Sequence, residues 1–174
     1  MIAAVNGVAA GGGLVLAALC DLRFAAPEAQ FTTVFSKRGL ISEHGTSWIL
    51  PRLLGPGRAL DLLWSSRKIG AEEALRIGLV EFLTGPDDLL DQACTYVAEL
   101  AANVSPASMR DTKRLVYSHM GLGFDPALRE THEVMRASLK RTDAKEGVDS
   151  FVNRRPPNFP RIKGDEGPRH EEKD

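Results

Sequence analysis

Residues 1–20, Met1-Ile-Ala-Ala-Val-Asn-Gly-Val-Ala-Ala-Gly-Gly-Gly-Leu-Val-Leu-Ala-Ala-Leu-Cys20, constrain the fold more than any other stretch. Ile2 to Val5 is a short apolar run with a β-branched residue at each end, which predicts a buried strand. Asn6-Gly7 breaks it. Gly11, Gly12 and Gly13 then lead into the apolar stretch Leu14 to Cys20, long enough for about two helical turns. A strand, a glycine loop and a helix start together suit an anion, because the first helical N–H groups are unpaired and the dipole is positive there. Glycine also lets a ligand reach the backbone without meeting a Cβ. A plain strand-to-helix turn fits the same triplet. The spacing is not G-x-G-x-x-G, and no Lys-Ser/Thr follows as in a phosphate loop.

The remaining chain reads as one α/β domain with a helical second half. At 174 residues it is long enough for a real core. A net charge of −1 gives no basic patch for nucleic acid or an anionic membrane. No apolar run reaches membrane-spanning length. Cys20 and Cys94 lie apart, with no C-x-x-C, and read as reduced core thiols of a cytoplasmic protein. His44, His119, His132 and His170 show no metal-ligand spacing.

Leu22–Ala25 and Ala29–Thr33 are further strand candidates, joined by a turn at Pro27-Glu28. Trp48, Ile49, Leu53 and Leu54 share a helical face that Pro51 is expected to bend or restart. Ala59 to Trp64 forms a nearly all-round apolar helix. Ala71–Ile77 is a helix stopped by Gly78. Leu79–Leu83 is a brief strand or extended link. Asp87 or Asp88 caps a helix bearing Leu89, Ala93, Tyr96 and Leu100. Ser105-Pro106 and Asp125-Pro126 each mark a helix start. Asp143 with Glu146 resembles a capping box for a last helix carrying Val148, Phe151 and Val152. Residues 163–174 are charged and lack apolar anchors, which predicts a disordered tail.

Several pieces in fixed order carry a resemblance: Ala3-Ala4-Val5-Asn6-Gly7, the glycine triplet, Cys20-Asp21-Leu22-Arg23-Phe24-Ala25 and Ala29-Gln30-Phe31. Gly39-Leu40, Leu50-Pro51-Arg52-Leu53-Leu54-Gly55, Ala71-Glu72-Glu73-Ala74 and Gly78-Leu79-Val80 continue it. From residue 2 to about 160 the chain resembles the enoyl-CoA hydratase/isomerase (crotonase) family. That resemblance implies the crotonase-like (ClpP/crotonase) β-β-α spiral core over about 1–85 and C-terminal trimerisation helices over about 86–160, within a domain of 1–162. Family members carry several strands and an acyl-CoA loop before the first strand here, so the resemblance implies a chain truncated at its N-terminus.

The resemblance also implies a site. Family members hold an acyl-CoA thioester with its carbonyl oxygen between two backbone N–H groups, and such fixed donors stabilise the enolate oxygen that develops. One donor maps to Gly12, beside Gly11 in the substrate-binding loop; the other belongs to the preceding segment. The two glutamates of family hydratases map to Val15 and Phe35, and neither of these can move a proton. Glu43 falls where dienoyl-CoA isomerases of the family carry a proton-shuttling acid, and one base suffices to shift a double bond. It would need desolvation for its pKa to approach neutrality. A solvated Glu before a helix fits Glu43 equally. His44 either orients it or is an ordinary surface residue. Phe151 and Arg154 match the family's contacts to the adenine and phosphates of CoA, or else form an apolar helix face and its basic end. CoA is part of the substrate, so no separate cofactor and no metal is expected. The implied function is isomerase-like proton transfer on an acyl-CoA in fatty-acid metabolism, by a homo-oligomer (trimer or hexamer) with neither nucleic-acid nor membrane partners. The alternative is a non-catalytic acyl-CoA binder or inactive member.

Overall fold

The computed structural model describes residues 1–162. The expected tail at 163–174 lies outside them. The chain forms two compact units, the first Met1–Tyr96 and the second from Val97 onward.

The first unit is built by sending consecutive strands to different sheets. β1 (Ile2–Val5) pairs in parallel with β3 (Leu22–Ala25), which pairs in parallel with β6 (Phe82–Leu83). After Asn6-Gly7 the chain makes β2 (Val8–Ala10), which sequence patterning did not reveal. β2 runs parallel to β4 (Gln30–Thr32), and β4 is antiparallel to β5 (Ile69–Gly70), another short strand without a sequence signal. The register sets Val5 opposite Ala25 and Ala9 opposite Phe31. Two successive β-β segments therefore each place one strand in either sheet. The helix α1 (Gly12–Leu19) follows the first pair.

α1 buries Leu14, Val15, Ala17 and Ala18. They join Phe31, Leu50, Leu62, Ile69, Ala74, Leu79 and Val80 in the main core. A single turn of 3₁₀ helix (Ser36–Arg38) leads to α2 (Thr46–Leu54), which packs on α1 and on α3 (Pro56–Ser65). α2 runs through Pro51 rather than restarting there. Proline's missing N–H costs one bond, while Leu50 and Leu54 on either side stay buried. α3 is not apolar all round: Ala59, Leu62 and Leu63 are buried, whereas Leu60 and Trp64 face out. α4 (Ala71–Ile77) ends at Gly78, whose φ of 85° allows Leu79 N–H to reach the Ala74 carbonyl at 2.8 Å.

A smaller cluster gathers Phe24, Ala26, Leu89 and Ala93 with Tyr96, and Phe24 stacks on Phe82 at 4.4 Å. Cys94 is exposed and Cys20 half-buried, so neither is the core thiol expected. Among the described residues, Arg23 is the largest fully buried side chain. Its Nε donates to Leu79 O (2.8 Å), one Nη to Cys20 O (2.7 Å) and the other Nη to the Glu81 carboxylate (2.5 Å). It thereby ties the end of α1 to β3 and to the approach to β6.

The helix α5 (Leu89–Asn103) contains the division between the units. The second unit then holds α6 (Pro106–His119), α7 (Phe124–Ser138) and α8 (Thr142–Val152). Ser105 caps α6 by accepting from Ser108 N–H at 3.1 Å, as its sequence predicts. α7 begins before Asp125-Pro126, at Phe124 after Gly123. The capping box of α8 is not formed. Asp143 instead accepts from Ser105 Oγ, and Glu146 accepts from Arg155 and from Asn158 N–H. α6 and α7 are joined by Arg114–Glu130 and by His119 Nε2–Glu130 at 3.2 Å, and Arg141 reaches Asp111 at 2.6 Å.

Candidate functional site

The three glycines are not equivalent. Gly11 caps α1 at φ 50°, a left-handed conformation that glycine adopts without strain. Its N–H is spent on Thr32 O at 3.0 Å, and its carbonyl accepts from Val15 N–H at 3.0 Å. Gly12, Gly13 and Leu14 therefore form the first turn, where N–H groups have no acceptor within the helix. No acidic side chain lies in that turn to neutralise its dipole. Gly11 is buried, whereas Gly12 and Gly13 are exposed. A Cβ at Gly12 or Gly13 would meet nothing within 4 Å, while one at Gly11 would lie 3.2 Å from Val34 Cγ2 and 3.9 Å from Phe35 Cε1. Gly11 is thus closed off by side chains, and Gly12 presents bare, accessible backbone at a helix N-terminus.

The walls around this turn are apolar. Val15 and Phe35 are each 5% exposed. Phe35 packs towards Gly11, so the structure does bring residues 15 and 35 to the glycine turn, but as hydrocarbon. Alongside α1 an open groove of about 310 Å³ runs past Asn6, Val8, Gly13 and Leu16. Gly12 and Glu43 are not among the residues lining it.

Glu43 precedes α2. Its side chain is 37% exposed and stands 3.7 Å from Nε2 of the more exposed His44. Its backbone is well fixed: buried Thr46 donates its hydroxyl to Glu43 O at 2.7 Å and its N–H to the same oxygen at 3.0 Å, and Ser42 Oγ lies 2.6 Å from Thr46 Oγ1. His44 and Gly45 both adopt left-handed backbone, at φ 52° and 80°. Because α2 packs on α1, the Glu43 turn and the glycine turn are both anchored to that helix pair.

Phe151 and Arg154 belong to the second unit. Phe151 is 84% exposed and lines a cavity of about 480 Å³ with Ser105, Ser108, Arg141, Val148 and Phe159. Arg154 is exposed, whereas the neighbouring Arg155 is committed to Glu146. Arg155 and the Asn158 N–H hold the Glu146 carboxyl down to about 2. Among the described residues no group of three His, Cys, Asp or Glu could hold a metal ion, and no helix is long and apolar enough to cross a membrane.

Two features escaped sequence reasoning. One is the buried Arg23, which looks in sequence like any surface cation between apolar neighbours. The other is Val34, whose φ of 56° is one that β-branched residues avoid. Only the hydroxyl-rich run Thr32-Thr33-Val34-Phe35-Ser36 hinted that this segment is bonded across to another element.

The family model of enoyl-CoA hydratase/isomerase matches residues 1–161. The crotonyl-CoA hydratase of Syntrophomonas wolfei is 35% identical over 159 residues, covering 91% of this chain and 61% of that protein. The (E)-benzylidenesuccinyl-CoA hydratase of Thauera aromatica is likewise 35% identical, covering 91% and 62%. The crystal structure of an enoyl-CoA hydratase from Bacillus anthracis superposes with a TM-score of 0.88 at 32% identity, over 91% of this chain and 61% of that one. The chain thus spans about three-fifths of the length of the relatives it matches.

Proposed function

This chain belongs to the enoyl-CoA hydratase/isomerase family and has its crotonase fold, and from that premise we propose that it handles an acyl-CoA thioester through the Gly12 N–H. The exposed, bare backbone at Gly12 is the observation that carries this reading. A thioester oxygen that gains charge on enolisation is favoured by a fixed donor at a helix N-terminus. Glu43 serves as the single base, lifting a proton from one carbon and returning it at another. Its fixed backbone turn supports that assignment, and because the side chain is 37% exposed in the free chain, the desolvation a base needs has to come from the bound acyl-CoA covering it. Phe151 and Arg154 serve as CoA contacts offered to a neighbouring subunit's substrate, at its adenine and phosphates, and Arg is apt for phosphate because its planar donors are permanently charged. No cofactor beyond the substrate's own CoA takes part. The exposed Val116, Phe124, Leu139 and Val148 of the second unit support a homo-oligomer, since apolar surface of that kind is usually covered.

A second reading has its own support. Val15 and Phe35 are buried hydrocarbon where hydratases of the family carry glutamates, which favours a non-catalytic acyl-CoA binder. Deuterium exchange at the α-carbon of a bound acyl-CoA separates the two. The Glu43→Gln variant is expected to slow exchange by about 10² or more while calorimetry shows acyl-CoA binding nearly intact. Exchange at the wild-type rate in that variant removes Glu43 from the mechanism. Binding without any exchange in the wild type supports the second reading.

A further inference from the structure

The segment after β4 is held in an unfavourable conformation by a set of cross-bonds. Val34 sits at φ 56°. For a β-branched side chain this left-handed backbone is strained, and such strain persists only where the surroundings over-determine it. They do so here. Thr32 Oγ1 donates to Ser66 O at 3.0 Å, Thr33 Oγ1 donates to Leu62 O at 2.8 Å, and Ser36 Oγ donates to Leu63 O at 2.6 Å. Thr33 Oγ1 also lies 3.2 Å from Ser66 Oγ. Residues on both sides of Val34 are therefore pinned to the C-terminal end of α3. Thr32, Thr33 and Ser66 are buried, so water does not compete for their bonds, whereas Ser36 is exposed.

The strain has a direction. Val34 Cγ2 faces Gly11 so closely that a Cβ there would lie only 3.2 Å away. Gly11 is itself fixed by donating to Thr32 O, the residue that opens the pinned segment. Gly11 and Val34 are thus two left-handed residues that face each other with no room for a side chain at Gly11, one just before Gly12 and the other just before buried Phe35. We infer that Val34 is a positioning residue: its branched side chain, driven inward by the α3 hydroxyl clamp, braces Gly11 and so fixes the direction of the Gly12 N–H. This rests on the assignment of Gly12 as an oxyanion donor and adds what aims that donor.

The test compares Val34→Gly, which keeps the backbone angle at ease and removes the brace, with Val34→Thr, which retains the β-branch. The ligand probe is a conjugated aryl-enoyl-CoA, whose absorption moves to longer wavelength when its carbonyl oxygen accepts a directed hydrogen bond. The wild type and Val34→Thr are expected to show the shift when saturated, and Val34→Gly to lose most of it with Kd little changed. Where proton exchange is measurable, kcat falls on the order of 10²-fold with KM little moved, as expected of a misaimed group. In parallel, amide hydrogen exchange of residues 8–16 accelerates in Val34→Gly although its thermal midpoint is not lowered, a combination that a merely structural role would not give. An undiminished shift and unchanged exchange in Val34→Gly overturn the brace. If the wild-type complex itself shows no shift, the Gly12 assignment falls, and the amide exchange comparison alone decides whether Val34 orders the turn.

Discussion

Replacing Arg23 by Met should cost more stability than any surface change in the first unit, and the structure sets the size. The guanidinium is 2% exposed. Its two short carbonyl bonds, to Leu79 O at 2.8 Å and Cys20 O at 2.7 Å, would be lost; the contacts to Ala17 O and Ala18 O are longer, at 3.4 and 3.5 Å. Left unpaired, the buried Leu79 acceptor costs about 1–3 kcal/mol and the part-buried Cys20 acceptor somewhat less. Glu81 is 28% exposed and keeps its bond from the Arg23 backbone N–H at 2.6 Å, so it can turn to water. The ion pair therefore adds only about 1 kcal/mol or less, the range of screened pairs. Met returns some apolar burial. The net loss is about 3–5 kcal/mol, in line with truncation of one buried partner. Urea unfolding should register it directly, and calorimetry as a fall in Tm of about 6–20 °C. Arg23→Lys keeps the charge but not the fork and should recover less than half. A loss below about 1 kcal/mol for Arg23→Met would show that the Leu79 and Cys20 carbonyls find other donors, and would refute the view that Arg23 ties α1 to β3 and β6.

Gly11→Ala and Gly12→Ala should part sharply. The first puts a Cβ at φ 50° and 3.2 Å from Val34 Cγ2, and is expected to destabilise by about 1–3 kcal/mol. The second meets nothing and gains helix propensity, so stability holds or rises by up to about 1 kcal/mol while acyl-CoA affinity falls, because the methyl group occupies the approach to the N–H. Equal destabilisation by both, read in denaturant melts, would contradict the different roles given to the two glycines. Glu146 gives the pH prediction. Its folded-state pKa of about 2 lies below the ordinary 4.5, so its stabilisation is fully present above 4.5 and is lost as pH falls from 4.5 towards 2. Glu146→Gln should lower Tm at neutral pH and flatten the acid limb in that window, and an unchanged acid slope would rule out the Arg155 pairing.

The parts of the fold that were legible carry their signal locally. β1 and β3 are apolar runs bounded by turn residues, although β1 is half-buried or exposed rather than buried as expected; Ser105-Pro106 states its own cap and first turn, and Gly78 its own stop. β2 and β5 are three and two residues long, and each exists because β4 offers a ladder to it. No window of sequence contains both partners of such a pair. The capping box at Asp143 and Glu146 failed for a related reason. Both carboxylates had a choice of donors, and a hydroxyl at Ser105 and a guanidinium at Arg155, distant in sequence from the helix start, took them instead of the helix's own N–H groups.

At the site the same division runs through adjacent residues. Three identical glycines gave no hint that one spends its N–H on β4, lies buried and turns left-handed, while the next stays bare and exposed. That difference is imposed by Thr32 and Val34, which are close to Gly11 in space but lie twenty or so residues further along the chain. Local preference argues against a left-handed valine, so no reading of residues 30–36 alone could propose one. The conformation is enforced from α3, some thirty residues beyond, through hydroxyls that sequence alone leaves free to bond anywhere. Positions where local preference is overruled by several independent bonds cluster at functional sites. Here the overruled residue abuts the turn that presents the only bare helix-start backbone of α1, which is why Val34, invisible to pattern and motif, is the residue whose change most directly tests whether that turn is built to act on a ligand.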